Sequence, residues 1–197
     1  GAGARGRAVS VDCAVCGLDV VLHGVSEDAL GAAREWQRTI LDGFQAEGRL
    51  TASEREAVVT RLSATRDPAE AALEADLLSE SVPEKLELKS DVFQRFNDLC
   101  PKRTVFTTNS SSFIPSMFAD ATGRPERFAA LHFHHVVWVS NVVDVMPHPG
   151  TAPEAVGLLE WFARRIGQIP IVLRKESHGY VFNAILNALN GPALALA

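Results

Sequence analysis

GAGARGRAVSVDCAVCGLDVVLH, residues 1–23, opens on glycines spaced G-x-G-x-x-G, continues through a helix-length segment and closes on an apolar β run. This order belongs to a nucleotide-binding βαβ unit. The first glycine makes a tight turn, the second lets a pyrophosphate approach the backbone, and the third lets the helix pack closely on its strand. Gly1, Gly3 and Gly6 are therefore candidate cofactor-binding residues. Glycine triplets also arise by chance, so the weight comes from context. A helix over 4–16, the turn residue Gly17 and a strand LDVVLH at 18–23 are spaced as one mononucleotide-binding half requires. Two features depart from the pattern. The sequence begins at Gly1, so the sheet is expected to lack the strand that feeds the turn. His23-Gly24 stands where an acidic residue usually holds the ribose hydroxyls, and GVSEDAL offers no arginine for a 2′-phosphate.

Beyond this unit strands and helices keep alternating. Ser26 caps a long helix that runs to about Glu47 and stops at Gly48, and Thr51-Ala52-Ser53-Glu54 has the form of a capping box. A short strand follows near Leu62–Thr65, then a helix at 68–74, the strand ADLLSES (75–81) and a helix over 84–99. Further strands are TVFTTN (104–109), FAALHF (128–133), VSNVVDVM (139–146) and PIVLRK (170–175). A helix at 152–167 and a last helix from about Tyr180 complete the pattern. Alternation of this kind predicts an α/β fold: a Rossmann-like, doubly wound, mostly parallel sheet.

Composition narrows the function. The 197 residues are 47% hydrophobic and 22% charged, enough for one compact domain or one domain and the start of another. A net charge of −5 and scattered basic residues argue against nucleic acid and anionic membranes as partners. No apolar run reaches the roughly 18 residues that span a bilayer. Three cysteines cannot all pair, so a reducing cytoplasm is the expected compartment. Cys13-Ala-Val-Cys16 lies inside the first helix without a second pair, and reads as two small buried residues.

LHFHHVV (131–137) holds three of the chain's six histidines. It can be read as a metal site, as a base with neighbours, or as core histidines satisfied by the backbone. His132 and His134, two apart on a strand, share a face at a known ligand spacing. No carboxylate–histidine pattern nearby completes a set, so no metal is expected. Trp138 and Trp161 read as packing residues, with Trp138 close enough to His135 to line a substrate pocket.

The ordered segments GAGARG, SESVPEKLELKSDVF (79–93), TTNSSSF (107–113), RPERFAALHF (124–133), NVVDVMPHPGTAPEAV (141–156) and IGQIPIVLRKESHGYVFNAIL (166–186) resemble one family, the L-3-hydroxyacyl-CoA dehydrogenases. VVDVMPHPGTAPEAV also resembles its lambda-crystallin branch, similar to L-gulonate dehydrogenases. The resemblance implies an NAD-binding domain over 1–178 and the truncated start of an all-helical domain over 179–197, which in the family carries the dimer interface and closes over substrate. It implies NAD as cofactor, a small-molecule substrate, a place in fatty acid metabolism, and a homodimer where the helical domain is present.

By motif match His132 is the general acid–base that takes the hydroxyl proton of a 3-hydroxyacyl-CoA as hydride leaves to nicotinamide. Histidine suits the step because an ordinary imidazole titrates near neutrality. Asp144 matches the acid that orients it, where the family has the longer Glu. Ser111 and Asn183 match substrate-oxygen contacts, and Glu80, Lys89 and Asn109 match positions lining the cofactor cleft. His135 stands at a family Asn, while Val136 and His178 stand at family prolines. A hydroxy-acid or L-gulonate dehydrogenase, or a remnant without turnover, are the alternatives.

Overall fold

The computed structural model describes residues 1–134 and 136–194. Two parallel strands, β1 (Val20–His23) and β2 (Leu62–Thr65), form one sheet. A five-stranded sheet has the order β3 (Leu77–Glu80), β4 (Val105–Thr108), β5 (Phe128–Phe133), β6 (Val142–Pro147) and β7 (Ile169–Val172). All pairs are parallel except β5–β6. The eight residues between those two strands are too few for a crossover helix, so the chain must turn back antiparallel.

Among the described residues the two sheets share no ladder. Between them lies the start of helix α1 (Ala4–Val15). A Cβ on Gly1 would meet the Ser81 carbonyl oxygen just past β3 at 2.8 Å, and one on Gly24 just past β1 would meet the Ala2 Cβ at 3.1 Å. Residues 1–2 thus bridge the carboxyl ends of β1 and β3, and the position between those strands is where a strand feeding Gly1 would run.

Helices cover both faces, as a doubly wound sheet requires. Strand alternation sorts the side chains. Val105, Leu131, Phe133, Val143 and Val145 pack with α1 and with helix α6 (Pro153–Arg165), whereas Phe106 and Phe128 pack with Phe93 and Phe96 of helix α5 (Leu86–Leu99). Helices α2 (Glu27–Ala46) and α3 (Ala52–Arg61) close on α1 through Leu41, Phe44 and Val58. Their caps form as the sequence predicts: Ser26 accepts from the Ala29 amide, and Thr51 and Glu54 make a reciprocal capping box. Helix α4 (Pro68–Ala72) is capped by Asp67, and Gly48 takes the left-handed conformation that ends α2.

Several expectations need correction. Strands β2 and β5 fall on the expected residues, β3 and β4 are shorter at both ends than the apolar runs 75–81 and 104–109, β6 begins three residues later than expected, and β7 ends three residues earlier. The last helix, α7 (Phe182–Leu194), starts two residues after Tyr180, since Gly179 and Tyr180 both take positive φ in the turn before it. Trp161 is 63% exposed on α6 instead of packed. His135 lies outside the described residues.

Candidate active site

The β5–β6 ladder sets His132 directly opposite Asp144. Their neighbours Leu131, Phe133, Val143 and Val145 face α1 and α6, so alternation turns His132 and Asp144 to the other face. His132 Nδ1 lies 3.3 Å from Asp144 Oδ2, with side-chain exposures of 3% and 0%. The short aspartate therefore reaches the imidazole without a bridging water. Burial works to raise the Asp144 carboxyl, but hydrogen bonds from His132 and His134 outweigh it and hold it below the ordinary aspartate value. With Nδ1–H given to Asp144, Nε2 of His132 is left free to take a proton.

His134 is a residue whose part the motif matching missed. Its Nε2 lies 3.2 Å from the same Asp144 oxygen. The signal was present in the sequence: His132 and His134 share a strand face. The reading that no carboxylate completes that pair is overturned, because the partner strand supplies Asp144 from twelve residues away.

Ser111 and Asn183 come together in a cleft with Ser112, His178 and Asn187, where Asn183 Nδ2 lies 3.4 Å from the Ser111 carbonyl oxygen. His132 is joined to this cleft through Tyr180, the residue after the cleft's Gly179, whose ring lies 4.7 Å from the imidazole. Tyr180 donates its hydroxyl to the Phe113 carbonyl, and His178 Nδ1 contacts the Ser112 carbonyl, so the turn before α7 is tied onto the serine loop. Glu84, also unforeseen, holds that loop from below. Its Oε1 accepts from Ser110 Oγ, from the Ser111 and Ser112 amides at 3.2 and 3.1 Å, and from Ser112 Oγ at 2.9 Å. Burial favours the neutral acid, yet these hydrogen bonds and the Lys89 charge pull Glu84 down to about 2.

The expected cofactor residues divide in two. Glu80 and Lys89 do not face open space: they are buried against each other, Nζ to Oε1 2.9 Å, with Glu80 also accepting from Thr108 Oγ1 and the Val82 amide. Asn109 is also buried and spends both ends of its amide inside the protein, on Ser81 Oγ at 3.2 Å and the Phe133 amide at 2.9 Å. These three brace the carboxyl ends of β3, β4 and β5. The glycines form the approachable surface. A Cβ on Gly6 would meet the Gly1 carbonyl oxygen at 1.8 Å, so only glycine fits there, while the Cα of Gly3 faces open space. The N-terminus of α1 has no side-chain cap and no acid in its first turn, which leaves its amides free for a phosphate. These residues fit a pyrophosphate. At Gly24, just past the end of β1, a Cβ would meet Leu30 Cδ2 at 2.9 Å.

Cys13 and Cys16 carry thiols that burial pushes upward, the opposite of what a reactive or metal-binding pair needs. Trp138 packs against Trp36 at a tilt and against Phe44 edge-on, and with Arg5, Arg7, Ile40 and His134 lines a cavity of about 300 Å³ between α1, α2 and the segment after β5.

Residues 1–177 match the family described as 3-hydroxyacyl-CoA dehydrogenase, NAD binding domain. The chain belongs to that family. NAD is accordingly the cofactor of the 3-hydroxyacyl-CoA dehydrogenase NAD-binding domain formed by these residues. Similar proteins include the mitochondrial hydroxyacyl-coenzyme A dehydrogenase of Rattus norvegicus, 30% identical over 191 residues, covering 94% of this chain and 60% of that protein. The 3-hydroxyadipyl-CoA dehydrogenase of Escherichia coli is 31% identical over 185 residues, covering 94% of this chain and 38% of its own. Among solved structures, a diketoreductase superposes with a TM-score of 0.93 at 35% identity, covering 98% of this chain and 69% of that one. A 3-hydroxybutyryl-CoA dehydrogenase of Escherichia coli gives 0.84 at 32%, covering 87% and 36%. The chain thus spans about 60% of the length of the rat relative. Among the described residues no helix is long and apolar enough to cross a membrane.

Proposed function

We propose that this chain is the cofactor-binding part of an oxidoreductase that interconverts an L-3-hydroxyacyl-CoA and the 3-oxoacyl-CoA, with His132 as general acid–base. The observation that carries the reading is the buried His132–Asp144 pair beside the Ser111–Asn183 cleft, in a domain of this family. NAD, which Gly1, Gly3, Gly6 and the N-terminus of α1 would hold, would supply the hydride acceptor for the carbinol carbon. His132 Nε2 takes the hydroxyl proton, and Asp144 stabilises the resulting imidazolium through Nδ1–H. In reverse the same imidazolium returns the proton to the carbonyl oxygen. Ser111 and Asn183 hold that oxygen as its charge develops. The apolar side chains that α7 exposes, Ile185 and Leu189 among them, fit the start of a helical domain, through which a homodimer would form.

A second reading rests on one specific similarity. The diketoreductase, by its name, acts on dicarbonyl compounds, and it matches nearly the whole chain. This favours the alternative of a small hydroxy-acid or L-gulonate type of substrate.

The test is NADH binding by fluorescence on this chain and on His132→Ala, followed by reduction of acetoacetyl-CoA and of a small diketone. Binding in both, with turnover lost only in the variant, supports the reading, and the preferred substrate separates the two forms of it. Absence of NADH binding would count against it.

A further inference from the structure

His132 Nδ1, His134 Nε2 and Asp144 Oδ2 converge on one point. The two nitrogens lie 3.3 and 3.2 Å from the carboxylate oxygen, and all three atoms lie within 4.8 Å of one another. Side-chain exposures of 3%, 9% and 0% keep them out of bulk water. Aromatic rings hold both imidazoles from behind, Tyr180 against His132 at 4.7 Å and Phe182 against His134 at 4.9 Å.

We propose that these three side chains form a binding site for a divalent transition-metal ion of the zinc type. The spacing fits the ion. Zn–N bonds of about 2.0–2.1 Å at a tetrahedral angle place neighbouring donors about 3.3 Å apart. Two of the three donor separations already have that value, and a small imidazole rotation brings in the third. Two imidazoles and one carboxylate suit zinc and its transition-metal neighbours, whereas magnesium and calcium call for oxygen donors. The polar bookkeeping points the same way. Asp144 Oδ2 accepts from both imidazoles, while its Oδ1 is buried with no hydrogen-bond partner. An ion among the three donors would set a full positive charge against this carboxylate. Three protein ligands leave a fourth coordination position open.

Such an ion opposes the proposed chemistry, a consequence that rests on His132 acting as the base. Ligation through Nδ1 uses the lone pair there and fixes the proton on Nε2, the nitrogen that must be free to accept the substrate proton. The metal is therefore an inhibitor that competes with the Asp144 hydrogen bond, and not a cofactor.

The test is a visible-absorption titration of the chelator-treated chain with Co²⁺, back-titrated with Zn²⁺. The expected result is one equivalent bound at micromolar or tighter affinity, with d–d bands and no thiolate charge-transfer band. His134→Phe should weaken binding at least about tenfold, and His134→Gln, which changes the packing less, should do the same. Replacing Cys13 and Cys16 with Ser should leave the affinity unchanged. No binding by the wild-type chain, affinity equal to wild type in both His134 variants, or loss of binding in the cysteine variant would each overturn the proposal. None of these readouts needs turnover. Where turnover is present, Zn²⁺ should suppress it in the wild type, chelator should restore it, and NADH binding should be unaffected.

Discussion

His132 and Asp144 are cross-strand partners in the antiparallel β5–β6 ladder, and Nδ1 stands 3.3 Å from Oδ2. Because the pairing is set by backbone hydrogen bonds, the aspartate reaches its histidine despite lacking a methylene. Asp144→Asn should keep NADH binding and lower the reduction rate, and His132→Ala should lower it by about 10²–10⁴-fold. Steady-state kinetics with NADH affinity measured in parallel checks this. Equal rates in wild type and His132→Ala would remove His132 from the reaction.

The two inner glycines separate packing from cofactor approach. Gly3→Ala meets nothing within 4 Å, so it should cost at most about 1 kcal/mol through the helix cap, yet weaken NADH binding at least about tenfold. Gly6→Ala would drive a methyl group into the Gly1 carbonyl and should lower the melting temperature as well. Calorimetry beside fluorescence titration distinguishes the two effects.

Lys89 and Glu80 form a buried ion pair, with side-chain exposures of 1% and 0%. Lys89→Met leaves Glu80 charged and without its cation, and should cost about 3–5 kcal/mol. Adding Glu80→Gln should recover part of that loss in urea unfolding. A single-variant cost below about 1 kcal/mol would mean that the pair is not what braces this end of the sheet.

Burial pushes Asp12 up to about 6 against the hydrogen bond from Gln168 Nε2. An acid whose folded value is raised stabilises fully below its unfolded value, and that contribution is lost as pH rises through the folded value. Asp12→Asn should thus be more stable than wild type at pH 8, by about 1–2 kcal/mol after allowing for partial exposure, with the advantage gone near pH 4. Urea unfolding at both pH values reads the difference directly.

Much of the site was visible in linear sequence because its parts are local. The glycine spacing, Ser111 after β4 and His132 near the end of β5 each mark the carboxyl end of a strand, where an α/β sheet binds ligands. Glu80, Lys89 and Asn109 were placed at the correct ends of their elements, but only packing reveals that they spend their polar atoms on one another and on the backbone. Glu84 gave no sign of its task. An acid after Pro83 reads as an ordinary first-turn residue, and the serine loop it holds lies 26–28 residues away.

By itself the sequence determined the alternation of elements, their caps, the nucleotide-binding character of the first turn and the family. Hydrophobic period, capping chemistry and glycine spacing are properties of neighbouring residues. Only the tertiary structure decided that β5 and β6 run antiparallel, that Asp144 serves two histidines at once, and that residues 1–2 bridge two separate sheets. Each of these joins atoms distant along the chain, through strand register and the closeness of backbone segments, which no local pattern encodes.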